Sequence, residues 1–445
     1  MNLSLSEIAS YLSVKFYGKD LYINKIVTDS RKIKKGNLFV AIPGDKFDGH
    51  KFIHSALKNG AVAVICEDFE QLSNLTVPYI IVKDSIKSLG VIALHYKNKL
   101  GNPFTIGITG TNGKTTVTKL THSILSKSYK VSTTIQNFNN EIGLPLSILD
   151  SDNTQNVQRC VYELGASRIN DIKYLSDICK PNMTTLLNVS EAHLETFGNM
   201  DNLIKTKEEI FSNPNTKHVI LNLDDKYYDK WREINSEKKI TTISIKNSAD
   251  YFIKSSTINN YIISTPKGEI KLDKKKTKSI LAINILFSIA LSLEAGSNIS
   301  NAIKGIEEFS GIEGRFYRFI SSNKSIVIDD SYNANPESMK SAIHQLSLAQ
   351  NIRIFVMGDM GELANRSREH HLNMFKLAKE QGIEYLLYMG SFSKEAQSIF
   401  GQNCYTFNNV MEVVNQINKI SNENTTILIK ASRYMNFDII AQELK

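Results

Sequence analysis

Apolar positions along this chain fall into short runs of strand length, set off by polar and glycine-rich breaks. In the first hundred residues, Leu38 to Ile42, Ala61 to Cys66 and Tyr79 to Val82 predict strands separated by polar loops. After the breaker Leu100-Gly101-Asn102-Pro103, the residues Phe104, Ile106 and Ile108 alternate as a strand should, and Val117, Leu120 and Ile124 then recur at helical spacing. Cys160 to Glu163 is a further apolar-rich run, and Thr185 to Val189 predicts another strand. Beyond Gly311-Ile312-Glu313-Gly314 the period switches repeatedly. Strands are expected at Ile326 to Ile328, Ile354 to Met357, Tyr385 to Met389 and Ile427 to Ile429, with helices from Pro336 and over Ser367 to Lys379.

Strands alternating with helices at this spacing imply βαβ units, parallel sheets and binding sites at the carboxyl ends of strands. A length of 445 residues exceeds one ordinary core. The expectation is an α/β fold in three domains, residues 1–100, 101–313 and 314–445.

Composition narrows the function classes. No apolar run approaches the roughly 18 to 20 residues of a membrane-spanning helix, and the start Met1-Asn2-Leu3-Ser4 has neither a basic nor an apolar leader segment, so a soluble cytoplasmic protein is expected. Cys66, Cys160, Cys179 and Cys404 lie far apart without C-x-x-C spacing, which argues against a zinc cage or a disulfide framework. The net charge of +8 is spread along the chain, and the densest run, Lys271 to Lys278, reads as a solvated turn. No aromatic platform accompanies it, so nucleic acid is not expected as a partner.

The strongest chemical signal is Gly107-Ile108-Thr109-Gly110-Thr111-Asn112-Gly113-Lys114-Thr115-Thr116, between the strand at Phe104 and the helix carrying Val117. Such a loop turns backbone N–H groups and a helix N-terminus toward phosphates, Lys114 adds a point charge, and the Thr115 hydroxyl suits Mg²⁺. Ile108 stands where a strict P-loop pattern has glycine. Phosphoryl transfer also needs ligands at neighbouring strand ends. Glu163 and His193 sit just beyond probable parallel strands and are the candidates for metal ligation.

Taken together, the TGTNGKTT loop, a Glu after a strand, and a His followed by Lys207 on a helix resemble the Mur ligase family. The resemblance runs from Asp29 to about Arg433. It implies an ATP- and Mg²⁺-dependent ligase with a sugar-nucleotide-binding N-terminal domain, a central P-loop ATP-binding domain and a Rossmann-like C-terminal domain. Lys207 is then implied as a catalytic lysine alongside Lys114, Glu163 and His193, in its carbamylated form a metal ligand with Thr115, Glu163 and His193.

The same resemblance implies ATP contacts at Gly110 to Thr116, Asn284, Arg315 and Asp330. Substrate contacts are implied at Ser30 and Arg31, at Asp48, Gly49 and His50, at Asn137, Asn139 and Asn140, at Asn333 and Asn335, and at Ser432 and Arg433. Lys430-Ala431-Ser432-Arg433 has alanine where the family has glycine. The asparagine-rich loop, the string Asp329 to Pro336 and the string Met357 to Leu363 are similar to those of members that join D-alanyl-D-alanine to UDP-N-acetylmuramoyl-tripeptide through an acyl phosphate. A monomer is expected. The alternatives are a sister ligase adding the third amino acid, a folylpolyglutamate-type ligase, and, from another class, a non-catalytic nucleotide-binding regulator. The Asn137 to Asn140 cluster and the Gly358 to Leu363 string argue against the first two, and the retained Lys114, Glu163 and His193 against the last.

Overall fold

The computed structural model describes residues 3–44, 47–67, 77–150, 156–191, 194–277 and 280–445. Their strands form four sheets. Near the N-terminus, strands Phe16–Tyr17, Tyr79–Ile81, Ala61–Cys66, Asn37–Val40 and Lys25–Val27 lie side by side in that order. All neighbours are parallel except the Phe16–Tyr17 edge. A two-stranded pair, Leu3–Ser4 with Tyr22–Ile23, accompanies it.

The central sheet has nine strands, and its middle explains where a site can form. Strand Phe104–Thr109 is flanked by Arg159–Glu163 on one side and Met183–Leu186 on the other, all parallel. The chain leaves Phe104–Thr109 toward one edge and later returns to its opposite flank. That reversal of strand order opens a crevice at the carboxyl ends, where Gly110, Glu163 and Leu187 emerge. The predicted strand at Thr185 to Val189 is observed as Met183–Leu186, and Val189 belongs to the loop beyond.

One expectation is corrected here. Lys271, Leu272 and Asp273 are not in a turn; they close the strand Gly268–Asp273, which ends an antiparallel extension of the sheet with Tyr251–Ser256 and Asn260–Thr265. Ile270 and Leu272 alternate with exposed neighbours and are buried, a period of two that the lysines conceal.

Helices Lys114–Leu125, Ala282–Glu294 and Ile299–Glu307 bury one apolar cluster with Ile106, Ile108 and Val161 of the central sheet. The opposite face buries Cys160, Tyr162 and Leu186 with Leu89, Ile92 and Ala93 of helix Ser85–Lys99, so the core is continuous with that of the N-terminal sheet. The C-terminal sheet runs Tyr317–Ile320, Ile326–Asp329, Thr425–Lys430, Ile352–Gly358, Tyr385–Met389 and Cys404–Thr406, parallel except for the first strand. Helix Pro336–Ser347 starts at Pro336, as the sequence predicts, with Asn335 as its cap. No helix of the described residues is long and apolar enough to cross a membrane.

Candidate active site

A cleft of about 1240 Å³ lies at the carboxyl ends of the central strands and is roofed by C-terminal residues. Its floor is the phosphate loop. Gly113 has φ of +87°, and a Cβ there would sit 2.8 Å from Oδ1 of Asn284, so the turn into helix Lys114–Leu125 needs glycine on two counts. Nζ of Lys114 donates to the carbonyls of Gly110 at 2.9 Å and Thr111 at 3.0 Å. Burial pushes its pKa down, opposed by the charge of Glu163 and reinforced by that of Arg315.

Across the crevice, the Thr115 hydroxyl donates to Oε2 of Glu163 at 2.9 Å, and Nδ2 of Asn139 donates to Oε1 at 2.7 Å. Both carboxylate oxygens of this buried side chain are therefore aimed by partners, and the Glu163 N–H is held by the Thr134 hydroxyl at 2.8 Å. Lys207, on helix Met200–Glu208, is 3% exposed, and its side chain makes no hydrogen bond or ion pair among the described residues. Burial, with the Lys114 charge, pushes its pKa down to about 7. His193 lies outside the described residues.

The C-terminal half contributes the roof. Arg315 lies with its guanidinium carbon 3.8 Å from the centre of the Tyr332 ring, and Arg433 reaches the same ring at 5.8 Å. Asp330 is held by Nζ of the buried Lys430 at 2.5 Å and by the Phe316 N–H at 3.1 Å. Lys430 also donates to the Asn333 carbonyl at 3.0 Å. Asn335 meets the phosphate loop at Asn112.

Of the residues expected to bind ATP, Thr111 to Thr116, Asn284, Arg315 and Asp330 line this one cleft, with Gly110 beneath the Lys114 ammonium. Asn137, Asn139, Asn140, Glu163, Lys207, Asn333 and Asn335 line it too. Asn140 has a local duty as well, its side-chain oxygen accepting from the Gly143 N–H at 2.8 Å. Ser432 and Arg433 lie just outside the lining. Oγ of Ser432 accepts the Gly361 N–H at 2.7 Å, and Arg433 pairs with Asp438 at 3.2 Å.

Ser30, Arg31, Asp48, Gly49 and His50 stand apart from the cleft, in the N-terminal domain. Arg31 is 88% exposed and folds bidentately onto Asp29 at 2.9 and 3.0 Å. His50 is buried with both ring nitrogens engaged, Nδ1 with Asp48 at 2.7 Å and Nε2 accepting the Glu67 N–H at 3.0 Å. It braces its loop, and Asp48 caps the turn by accepting the His50 N–H.

Asn188 escaped the sequence reading. Its Oδ1 accepts the Asn112 N–H at 2.9 Å, its Nδ2 donates to the Asn112 carbonyl at 3.0 Å, and its own carbonyl accepts the Thr111 N–H at 3.0 Å. The strand expected over Thr185 to Val189 enclosed it, and only the observed end at Leu186 places it just beyond a strand neighbouring the loop. Tyr332 and Lys430 carried no local signal, because their roles depend on residues distant in sequence.

Oxygen donors suit Mg²⁺, which takes one or two protein ligands and fills its remaining positions with phosphate oxygens and water. The hydroxyl of Thr115 and the carboxylate of Glu163, 2.9 Å apart at the mouth of a phosphate loop, fit that requirement.

Comparison with known proteins agrees with this arrangement. Three family models match in succession: Mur ligase family, catalytic domain, over residues 22–104; Mur ligase middle domain over 108–304; and Mur ligase, glutamate ligase domain, over 314–433. The UDP-N-acetylmuramoyl-tripeptide--D-alanyl-D-alanine ligase of Buchnera aphidicola is 33% identical, covering 100% of this chain and 98% of its own. The solved structure of UDP-N-acetylmuramoylalanyl-D-glutamyl-2,6-diaminopimelate--D-alanyl-D-alanyl ligase from Acinetobacter baumannii superposes with a TM-score of 0.87 at 26% identity, covering 100% of this chain and 98% of that one. MurF ligase from Thermotoga maritima, solved with ADP, gives a TM-score of 0.80 at 27% identity over 94% and 96%. With a phosphate loop, an aimed carboxylate and a buried lysine in one cleft, and with relatives matched end to end, this chain belongs to the Mur ligase family and is a ligase.

Proposed function

We propose that this chain joins D-alanyl-D-alanine to UDP-N-acetylmuramoyl-tripeptide at the expense of ATP, in cytoplasmic assembly of peptidoglycan precursors. The observation that carries the reading is the line Lys114, Thr115, Glu163, Asn139 across a single cleft, in a chain similar over its whole length to ligases named for that reaction. In this reading residues 1–100 hold the sugar nucleotide, with Ser30 and Arg31 facing its phosphates, residues 101–313 hold ATP, and residues 314–445 hold the dipeptide.

The terminal carboxylate of the tripeptide attacks the γ-phosphorus of ATP, the bond to the bridging oxygen breaks, and ADP leaves. The dipeptide amine then attacks the acyl carbon, phosphate departs, and the amine loses a proton. Lys114 moves from the loop carbonyls toward the transferring phosphoryl group, whose charge it balances. The backbone N–H groups of the loop hold the phosphates, and Arg315 faces them from the roof. Thr115 and Glu163 would hold Mg²⁺, which would supply neutralisation of the phosphate charge. Closing the cleft between the two halves keeps water from the acyl phosphate.

Lys207 takes up CO₂ as a carbamate and releases one proton. The reaction requires a neutral amine, and burial supplies it by holding the pKa to about 7. A carbon-13 carbamate resonance in ¹³CO₂-equilibrated protein, absent in Lys207→Met, tests this step.

Phosphate release decides the whole reading. Release from ATP and Mg²⁺ is expected only when UDP-N-acetylmuramoyl-tripeptide and D-alanyl-D-alanine are both present, and not with Lys114→Ala. Equal turnover without either substrate, or turnover with a different acceptor, overturns it.

A further inference from the structure

This inference rests on the acceptor assignment above and deepens it. At one end of the cleft, Nη2 of Arg168 meets Oε1 of Glu141 at 2.7 Å, and Nε of Arg168 lies 3.6 Å from Asp171. Arg168 is 68% exposed and Glu141 27%. Both line the cleft, and the phosphate chemistry uses neither.

Both stand on loops tied to Glu163 and its neighbours. Asn139, whose amide touches Glu163, stands two residues before Glu141, a separation of at most about 7 Å along the backbone. The Asn139 carbonyl accepts the Gly165 N–H at 2.8 Å, which ties the two loops together. Oδ2 of Asp171 accepts the backbone N–H groups of Ser167 and Arg168 at 2.9 and 2.8 Å. Glu209 fixes the far side of this loop through the N–H groups of Asn170 and Lys173, each at 2.9 Å. An exposed ion pair is thus presented on two pinned loops.

The carboxyl to be activated belongs to the third residue of the acceptor. That residue's side chain leaves from the adjacent carbon, and an extended four- or five-atom chain carries its ionic end about 6 to 8 Å away. We propose that the Arg168 and Glu141 pair reads this end and selects a side chain bearing both a carboxylate and an ammonium group, as in a diaminopimelate-type residue. A lone ammonium can take Glu141 but leaves Arg168 beside a second cation. A lone carboxylate can take Arg168 but faces Glu141. A zwitterion inserts between them and exchanges one ion pair for two, with little lost because the original pair is solvated.

The test compares acceptors carrying diaminopimelate or lysine at the third position, with kcat/KM measured for each at saturating ATP and D-alanyl-D-alanine. Wild type is expected to prefer diaminopimelate by about tenfold or more, a modest ratio for a partly solvated reader. Arg168→Gln is expected to collapse that ratio toward one, Arg168→Lys to recover part of it, and Glu141→Gln to weaken both acceptors. An equal wild-type rate on the two acceptors overturns this inference while leaving the ligase reading intact, and so does an Arg168→Gln effect confined to the KM for D-alanyl-D-alanine. Absence of turnover with either acceptor defeats the ligase reading itself.

Discussion

Asn112 in the phosphate loop and Asn335 at the head of helix Pro336–Ser347 exchange hydrogen bonds across the cleft, Nδ2 of Asn335 donating to Oδ1 of Asn112 at 2.8 Å and the return bond spanning 3.4 Å. Asn335 has a second duty, because its Oδ1 accepts the Ser338 N–H at 2.9 Å and caps the helix. The nucleotide loop and the C-terminal half are therefore joined by a pair of neutral amides, which can part and re-form without moving a charge. An Asn188 amide grips the other side of the same loop residue.

The two duties of Asn335 separate by substitution. Asn335→Asp keeps the cap but removes the Nδ2 donor and sets a carboxylate beside the phosphates. It is expected to lose activity and raise the KM for ATP at least tenfold, on the scale of a lost hydrogen bond plus repulsion, with stability little changed. Asn335→Ala loses cap and bridge together and is expected to cost about 1 kcal/mol in urea unfolding as well. Equal ATP kinetics for wild type and Asn335→Asp would show that the bridge has no part in nucleotide binding.

Gly113 tests the loop in another way. Gly113→Ala must adopt a φ of +87° at a cost of about 1 to 2 kcal/mol and drive its methyl group against Asn284. Because both penalties fall on the loop, nucleotide affinity is expected to fall by at least tenfold in calorimetric titration with ADP and Mg²⁺. The far-UV circular dichroism should match wild type.

How much of this was legible in the sequence follows from what each feature depends on. The phosphate loop was readable because strand, turn and helix follow one another directly, from Phe104 to Leu125, and each has a local signature. Glu163 was readable from its place at a strand end, and Asn335 from the family resemblance of the string Asp329 to Pro336, while its cap emerges only in the fold. Asn188 and Tyr332 act through partners 76 and 17 residues away, at spacings that no local periodicity records. Lys271 and the lysines that follow Asp273 obscured the strand Gly268–Asp273, because an exposed edge carries charge on one face while burying Ile270 and Leu272 on the other. For His50 the family resemblance implied a substrate contact, and the fold adds a local duty that engages both of its nitrogens.

The Lys430 and Asp330 pair is nearly enclosed, Lys430 being 2% exposed. Lys430→Met leaves the Asp330 carboxylate without its counter-charge and is expected to destabilise the protein by about 3 to 5 kcal/mol. Adding Asp330→Asn removes the stranded charge, so the double variant is expected to regain much of that loss. Chemical unfolding of the four proteins gives the coupling directly, and additive losses would show that the pair contributes no mutual stabilisation.

Lys207 carries a pH signature. Its folded pKa of about 7 lies below its ordinary 10.5, because burial and the Lys114 charge disfavour the ammonium form. Between those two values the unfolded chain binds more protons at this site than the folded one, so the site's contribution makes stability rise with pH across that window and level off on either side. Lys207→Met removes the titrating group. In CO₂-free buffer the variant is therefore expected to be more stable than wild type near pH 6.5, with the gap shrinking steadily toward pH 10. Thermal unfolding of both proteins over that range provides the check. A gap that stays constant with pH would mean that the amine keeps its ordinary pKa, and with it would go the explanation for a neutral amine ready to take up CO₂ at physiological pH.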